Sequence, residues 1–226
     1  MRLVFAGLEK PIELTAGECA TVEVANQTFF TRLAQSLISG EGRYASEPYS
    51  IWEGDSELRP KDVLLVIDNP LQLPWDERGY MGSIVKRVER EYLEDEDLRR
   101  TVEKLQESIA TQLISLGFGF NVDLFFNQEW DLKRYLKFMG FGVSYQESKT
   151  FIDNLHNFLS LALDAGDKRA LTFVNLKTFL SKNDFESFLE QVFFQKTKVL
   201  LLESKQDDAR YEHEQKRAVD LHFIES

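Results

Sequence analysis

Two short apolar runs late in the chain, Ala170–Leu176 (ALTFVNL) and Lys198–Leu202 (KVLLL), flank one helical segment, Asp184–Phe194. Strand, helix and strand so close together predict a βαβ crossover, because parallel strands cannot be joined by a tight turn and the connection must return over the sheet, right-handed. A third run, VLLVI within Lys61–Asp68, lies between Pro60 and Asn69-Pro70. It has the length and apolar content of a strand buried on both faces. A parallel sheet covered by helices follows.

The opening residues read as short strands, Arg2–Ala6 and Pro11–Thr15, broken by Gly7 and Gly17. Ala20–Ala25 alternates Val22 and Val24 with Thr21 and Glu23, the period of a half-buried strand, so a hairpin or meander is expected. From Gln27 the spacing turns helical through Phe30, Leu33, Ala34, Leu37 and Ile38, and stops at Gly40 and Gly42. Tyr49–Trp52 predicts another strand. In the last third, Phe151, Leu155, Phe158, Leu159 and Ala162 mark a helix, and Val219–Ile224 is expected to close the sheet.

Between Pro70 and Gly140 the pattern is helical. Ile84, Val85, Val88 and Tyr92 form one stripe; Leu98, Val102, Leu105, Ile109 and Leu113 form a second, and the two predict a helical hairpin. The acids Glu94–Asp97 suit the turn and the first turn of the second helix. A further helix is expected over Trp130–Met139, with Leu132, Tyr135, Leu136 and Phe138 facing the core. The fold class is therefore α/β, a head with a mixed, partly parallel sheet (residues 1–70 and 141–226) and an inserted α-helical subdomain (71–140).

Several chemistries lack their residues. No Gly-Lys pair exists to open a phosphate loop, and the Gly-Phe-Gly segments at 117–119 and 140–142 lack the third glycine of a dinucleotide fingerprint. There is no Gly-x-Ser-x-Gly elbow and no HExxH pair, and Cys19 stands next to Glu18, which disfavours a thiolate. The single cysteine excludes an intramolecular disulfide framework and suits a reducing cytoplasm. No apolar run approaches the roughly 20 residues that span a bilayer, so no membrane partner is expected. The net charge of −11 argues against coating nucleic acid by bulk attraction. Any nucleic-acid contact must be local.

Two local features answer to that. Lys133, Arg134 and Lys137 share one side of their helix, and Lys86, Arg87 and Arg90 repeat the same spacing on the first helix of the insertion. Together they could line a phosphate track. Asp123, Asn127, Glu129 and Asp131 form an oxygen-rich set entering a helix, of the kind calcium takes, without the EF-hand pattern.

The opening MRLVFAGLEKPIEL, the stretch RALTFVNLKTFLSKNDFESFLEQV and KVLLLES with its polar tail resemble the type II-A CRISPR-associated accessory protein of spacer acquisition, a ring-forming family that binds double-stranded DNA ends. The similarity is one of order, length and apolar spacing over nearly the whole chain. It implies a degenerate P-loop-NTPase-like head without nucleotide motifs, a helical leg, and a homotetramer whose hole holds double-stranded DNA. Calcium near the junction is also implied, with ligands within Asp123–Asp131, as are the CRISPR integrase complex and the effector nuclease as partners. DNA-facing groups would come from the two basic helical faces. On this reading the protein is no enzyme and works in the cytoplasm. Two rivals stand beside it: a metal-dependent nuclease or degenerate nucleotide hydrolase using the Asp123–Asp131 carboxylates, and a protein-interaction scaffold without DNA affinity.

Overall fold

The computed structural model describes residues 1–226 except Arg78, Asp123, 126–128, His222, Phe223, Glu225 and Ser226. Its strands are β1 (Arg2–Phe5), β2 (Ile12–Glu13), β3 (Cys19–Val24), β4 (Tyr49–Glu53), β5 (Ser56–Leu58), β6 (Leu64–Ile67), β7 (Ala170–Val174), β8 (Val199–Glu203) and β9 (Glu214–Val219). Its helices are α1 (Gln27–Ser39), α2 (Pro60–Val63), α3 (Tyr80–Glu94), α4 (Glu96–Gly117), α5 (Leu132–Phe138), α6 (Phe151–Asp164) and α7 (Lys182–Gln195). They divide into two compact units, Met1–Glu77 with Ser144–Ser226, and Arg78–Val143.

In the first unit, parallel and antiparallel pairing fall on separate sheets. A five-stranded sheet runs β6-β7-β8-β3-β9 with every neighbour parallel, and a four-stranded sheet runs β2-β1-β4-β5 with every neighbour antiparallel. Ala20, Val22 and Val24 on one face of β3 join Phe29, Leu33 and Leu37 of α1 and Leu3, Phe5, Tyr49 and Ile51 of the antiparallel sheet in one core. On the other face Phe173 of β7 meets Phe188 of α7 edge-on, with ring centroids 6.1 Å apart. Each fully buried Phe or Leu here contributes about 1.5–3 kcal/mol.

The helix starts are written locally. Asn26 Oδ1 accepts the Phe29 amide to cap α1, and Gly40 ends that helix in the left-handed conformation. Thr150 with Asp153, and Ser181 with Asp184, form reciprocal capping boxes for α6 and α7.

Two strand expectations change. β3 takes no part in a meander with β1 and β2; it lies inside the parallel sheet between β8 and β9, and all six of its residues are buried. Its alternation separates an apolar face from a charged face that is also covered, so Thr21 and Glu23 point inward. The final strand is Glu214–Val219, earlier than expected. As an edge strand facing charged groups it buries only Val219, and so lacked a hydrophobic signature.

In the second unit α3 and α4 meet through Asp95, which ends α3 and caps α4 by accepting the Leu98 amide at 2.9 Å. Neither α4 nor α5 has a buried residue. The α3 stripe is partly covered, with Tyr92 buried, and Val102, Leu132 and Leu136 are half-buried, but Leu105 and Ile109 are 60 % and 58 % exposed and Phe138 is 83 % exposed, so most of the α4 stripe and Phe138, read as core, face outward in the single chain.

Candidate functional site

The parallel sheet has one switch point. From β3 the chain leads to β6 at one edge, while from its neighbour β8 it leads to β9 at the other, which opens a crevice at the carboxyl ends of β3 and β8. β8 ends there in Glu203, which is directly paired in register with Glu23, the last residue but one of β3. Glu23 and Glu203 are 0 % and 2 % exposed. Two buried carboxylates side by side need cations, and the fold brings two.

Lys177, in the 3-10 turn Leu176–Phe179 after β7, reaches Glu23 Oε1 at 2.9 Å and Glu214 Oε1 at 3.4 Å, and pairs with Asp207. Lys216 of β9 reaches Asp207 Oδ1 at 2.6 Å and Glu23 Oε1 at 3.6 Å, and donates to the Asp207 and Ala209 carbonyls. The Lys177 amide donates to Glu203 Oε1 at 3.0 Å, and the Asp207 amide to Glu23 Oε2 at 3.2 Å. Asn175, left-handed just before the turn, accepts from the Ser204 amide and hydroxyl.

The electrostatics follow from this geometry. Burial pushes Glu203 up to about 7 despite the Lys177 amide and ammonium, and burial likewise raises Glu214 against its partners Thr21 and Lys177. Burial opposes ionisation of Asp207, but hydrogen bonds from Lys177 and Lys216 outweigh it and hold Asp207 down at about 2. Burial also works against the Lys177 ammonium, and its bonds to Asp207 and Glu23 more than compensate. The Cys19 thiol is driven up by burial and then by Glu214, which makes it inert.

Both lysines are consumed by carboxylates, and the crevice is filled by the chain's own Asp207. The cluster therefore fastens the segment after β8 onto the sheet. No phosphate cradle stands beside it, since β3 leads through Ala25 and Asn26 into α1, and Asn26 is spent on the cap. None of the expected site residues belongs to this cluster; its one local signal is an acid at or next to the carboxyl end of each of two apolar strands.

The basic residues singled out from sequence lie on α3 and α5, all exposed. Lys133 of α5 bonds Glu89 of α3 at 2.8 Å, which brings the two helices together. Lys86 and Arg90 flank Glu89 on α3, and Lys137 stands one turn beyond Lys133. Lys86, Arg90 and Lys137 have no ion pair among the described residues. Arg87 pairs with Glu91 at 2.9 Å and Arg134 with Asp131 at 3.2 Å, so these two are partly neutralised.

Of the calcium set, Asp123 and Asn127 lie outside the described residues. Asp131 caps α5 through Oδ1 and holds Arg134 through Oδ2, so a cation there would compete with Arg134. Among the described residues, no group of three or more His, Cys, Asp or Glu side chains is arranged to hold a metal. No helix is long and apolar enough to cross a membrane, again among the described residues.

Comparison with solved structures places this architecture among known folds. The crystal structure of Stu0660 of Streptococcus thermophilus superposes with a TM-score of 0.54 at 14 % identity, covering 97 % of this chain and 74 % of that one. A chain from Pyrococcus furiosus, assigned as an ABC transporter (ATP-binding protein), superposes with a TM-score of 0.39 at 9 % identity over 98 % of both chains. No curated protein matches the sequence significantly. The family model described as CRISPR-associated protein (Cas_Csn2) matches residues 45–220, from the antiparallel sheet through β9. That match covers most of both units, and the chain belongs to the Cas_Csn2 family of CRISPR-associated proteins.

Proposed function

We propose that this chain is a non-enzymatic, sequence-independent double-stranded DNA-binding protein of CRISPR adaptation. It assembles as a homotetrameric ring that holds or slides on DNA ends in the cytoplasm while the CRISPR integrase complex captures spacers. The effector nuclease is a second protein partner and calcium a cofactor. The observation that carries the reading is the set Lys86, Arg90 and Lys137, exposed cations without ion pairs among the described residues, on adjacent helices of a chain with net charge −11. Phosphates meeting only that surface would escape the bulk repulsion. Ring assembly is supported by the uncovered apolar stripe of α4.

The rival hydrolase reading rests on the Asp123–Asp131 carboxylates; those of the crevice are matched to Lys177 and Lys216. Calcium would draw on Asp123, Asn127, Glu129 and Asp131, displacing Arg134 from Asp131. Asp123→Asn, Glu129→Gln and Asp131→Asn together keep the α5 cap and are expected to abolish calcium uptake in native mass spectrometry; unchanged uptake would move the cation elsewhere.

The test of function is a gel shift with linear duplex and with a covalently closed circle of the same sequence, with and without calcium, inspected for cleavage products. Linear DNA is expected to bind, the circle not to bind, and no product to form. Replacing Lys86, Arg90 and Lys137 by Ala should weaken all duplexes alike and flatten the log affinity versus log salt slope by about 0.9 per lost phosphate contact. Equal binding of circle and line by an intact tetramer would defeat threading, and metal-dependent cleavage or phosphate release would defeat the non-enzymatic reading.

A further inference from the structure

The crevice cluster holds more acid than base, and one of its acids is not built into the sheet. Glu23, Glu203 and Glu214 stand on β3, β8 and β9 with buried side chains. Asp207 stands on the segment that joins β8 to β9, and its side chain is 39 % exposed. Facing these four carboxylates are the ammonium groups of Lys177 and Lys216, the Lys177 and Asp207 amides and the neutral Cys19 thiol. The Tyr211 ring lies 5.8 Å from Lys177 Nζ, and His213 turns its ring onto Phe193. Lys205, Asp208, Arg210 and Glu212 on the same segment are exposed, where solvent screens them.

Four carboxylates against two ammoniums leave an excess of negative charge, which a buried cluster sheds by keeping protons. Glu203 and Glu214 are where they sit, since the nearest ammonium bond either receives among the described residues is 3.4 Å, from Lys177 to Glu214. Burial raises both, Glu203 to about 7. Once those protons leave, the excess can be relieved by moving Asp207 out. Its segment is pinned at both ends, the Ser204 amide to Asn175 Oδ1 at 2.8 Å and the His213 carbonyl to the Cys19 amide at 2.9 Å. Between those points the ties are mostly polar: Asp207 to Lys177, Lys216 and Glu23, Ala209 to Lys216, and Gln206 to the Val219 carbonyl. A concavity of about 520 Å³, bordered by Asp208, Tyr211, Lys216 and Ala218, lies between this segment and the edge of β9. Residues 205–212 can therefore lift without repacking the core.

We propose that segment 204–213 is a proton-controlled strap, closed over the crevice while Glu203 and Glu214 carry protons and opened by their loss, which expels Asp207. Opening frees Lys216, whose bonds shorter than 3.6 Å all go to the strap, and uncovers the carboxyl ends of β3 and β8. The closed strap binds the protons more tightly than the open one. Opening is thus favoured as pH rises from the ordinary carboxylate value of 4.5 toward 7, by up to about tenfold per pH unit for each proton, and levels off above that. The device works without DNA.

Amide hydrogen exchange of the full chain, read by mass spectrometry on peptides spanning 205–212 and β8 and corrected for the intrinsic rate at each pH, tests it. The Asp207 and Ala209 amides, bonded to Glu23 and to Asp207 in the closed strap, should lose protection at least about tenfold between about pH 5 and pH 7. Sub-denaturing urea should leave that loss unchanged, because lifting the strap exposes little surface, while exchange in β8 responds to urea. Glu203→Gln with Glu214→Gln replaces both titrating groups by neutral ones and should hold the strap equally protected at both pH values. Asp207→Asn, at the partly exposed mouth, removes the charge to be expelled and should flatten the step. Protection in the wild type that does not change with pH overturns the proposal, as does a step that survives undiminished in either variant. A step shared by β8 in size and in urea response also overturns it, since the whole chain and not the strap would then be opening.

Discussion

Glu203 keeps a proton in the folded chain that the unfolded chain releases between its ordinary value of 4.5 and the folded value of about 7. The native state binds more protons across that window, so stability falls as pH rises through it, by about 3 kcal/mol for a shift of this size. Asp207 has the opposite sign: held at about 2 against an ordinary 3.8, it contributes stability above 3.8 that is lost as pH falls through 2. Glu203→Gln is neutral at every pH and still accepts the Lys177 amide. Urea unfolding should find it close to wild type near pH 5 and more stable by about 2–3 kcal/mol at pH 8; a pH-independent difference would exclude Glu203 as the titrating group. Lys177→Met strands Glu23 and Glu214 in the interior and is expected to cost about 3–5 kcal/mol. Adding Glu23→Gln should recover about 1 kcal/mol or more, and no recovery would mean the pair is not coupled.

At the scale of elements, local sequence and structure agree where capping and periodicity act together. β7, α7 and β8 appear within one or two residues of the expected spans because short apolar runs and the box at Ser181 mark their edges. Thr150→Ala and Ser181→Ala should each lower unfolding stability by about 1 kcal/mol, since each leaves helix amides unsatisfied. Stability unchanged in urea titrations would mean that water replaces the cap. β9 escaped notice because its alternation is of charge against charge: Glu214 and Lys216 serve the cluster, while Arg217 donates to the Lys10 and Pro11 carbonyls.

For the whole molecule, the α4 stripe decides between a chain that works alone and one that works in copies. Four chains of 26.3 kDa give about 105 kDa by light scattering if the stripe is an assembly surface. Leu105→Asp with Ile109→Asp should yield particles of 26.3 kDa. Both residues are exposed in the single chain, so its thermal stability should change by no more than about 0.5 kcal/mol. A variant that keeps the full assembled mass would show that α4 is not in the interface.

The sequence by itself determined the parallel crossover, the helices and their caps, and the lack of a glycine-lysine phosphate loop, because each depends on neighbours a few positions apart. Tertiary structure alone decided the charged crevice. Strand order β6-β7-β8-β3-β9 sets Glu23 beside Glu203 and carries Lys177 to both. No periodicity encodes those meetings. Their energetics depend on burial, which exists only after the layers have packed: the alternation that should have turned Glu23 to solvent turned it toward a second covered face instead.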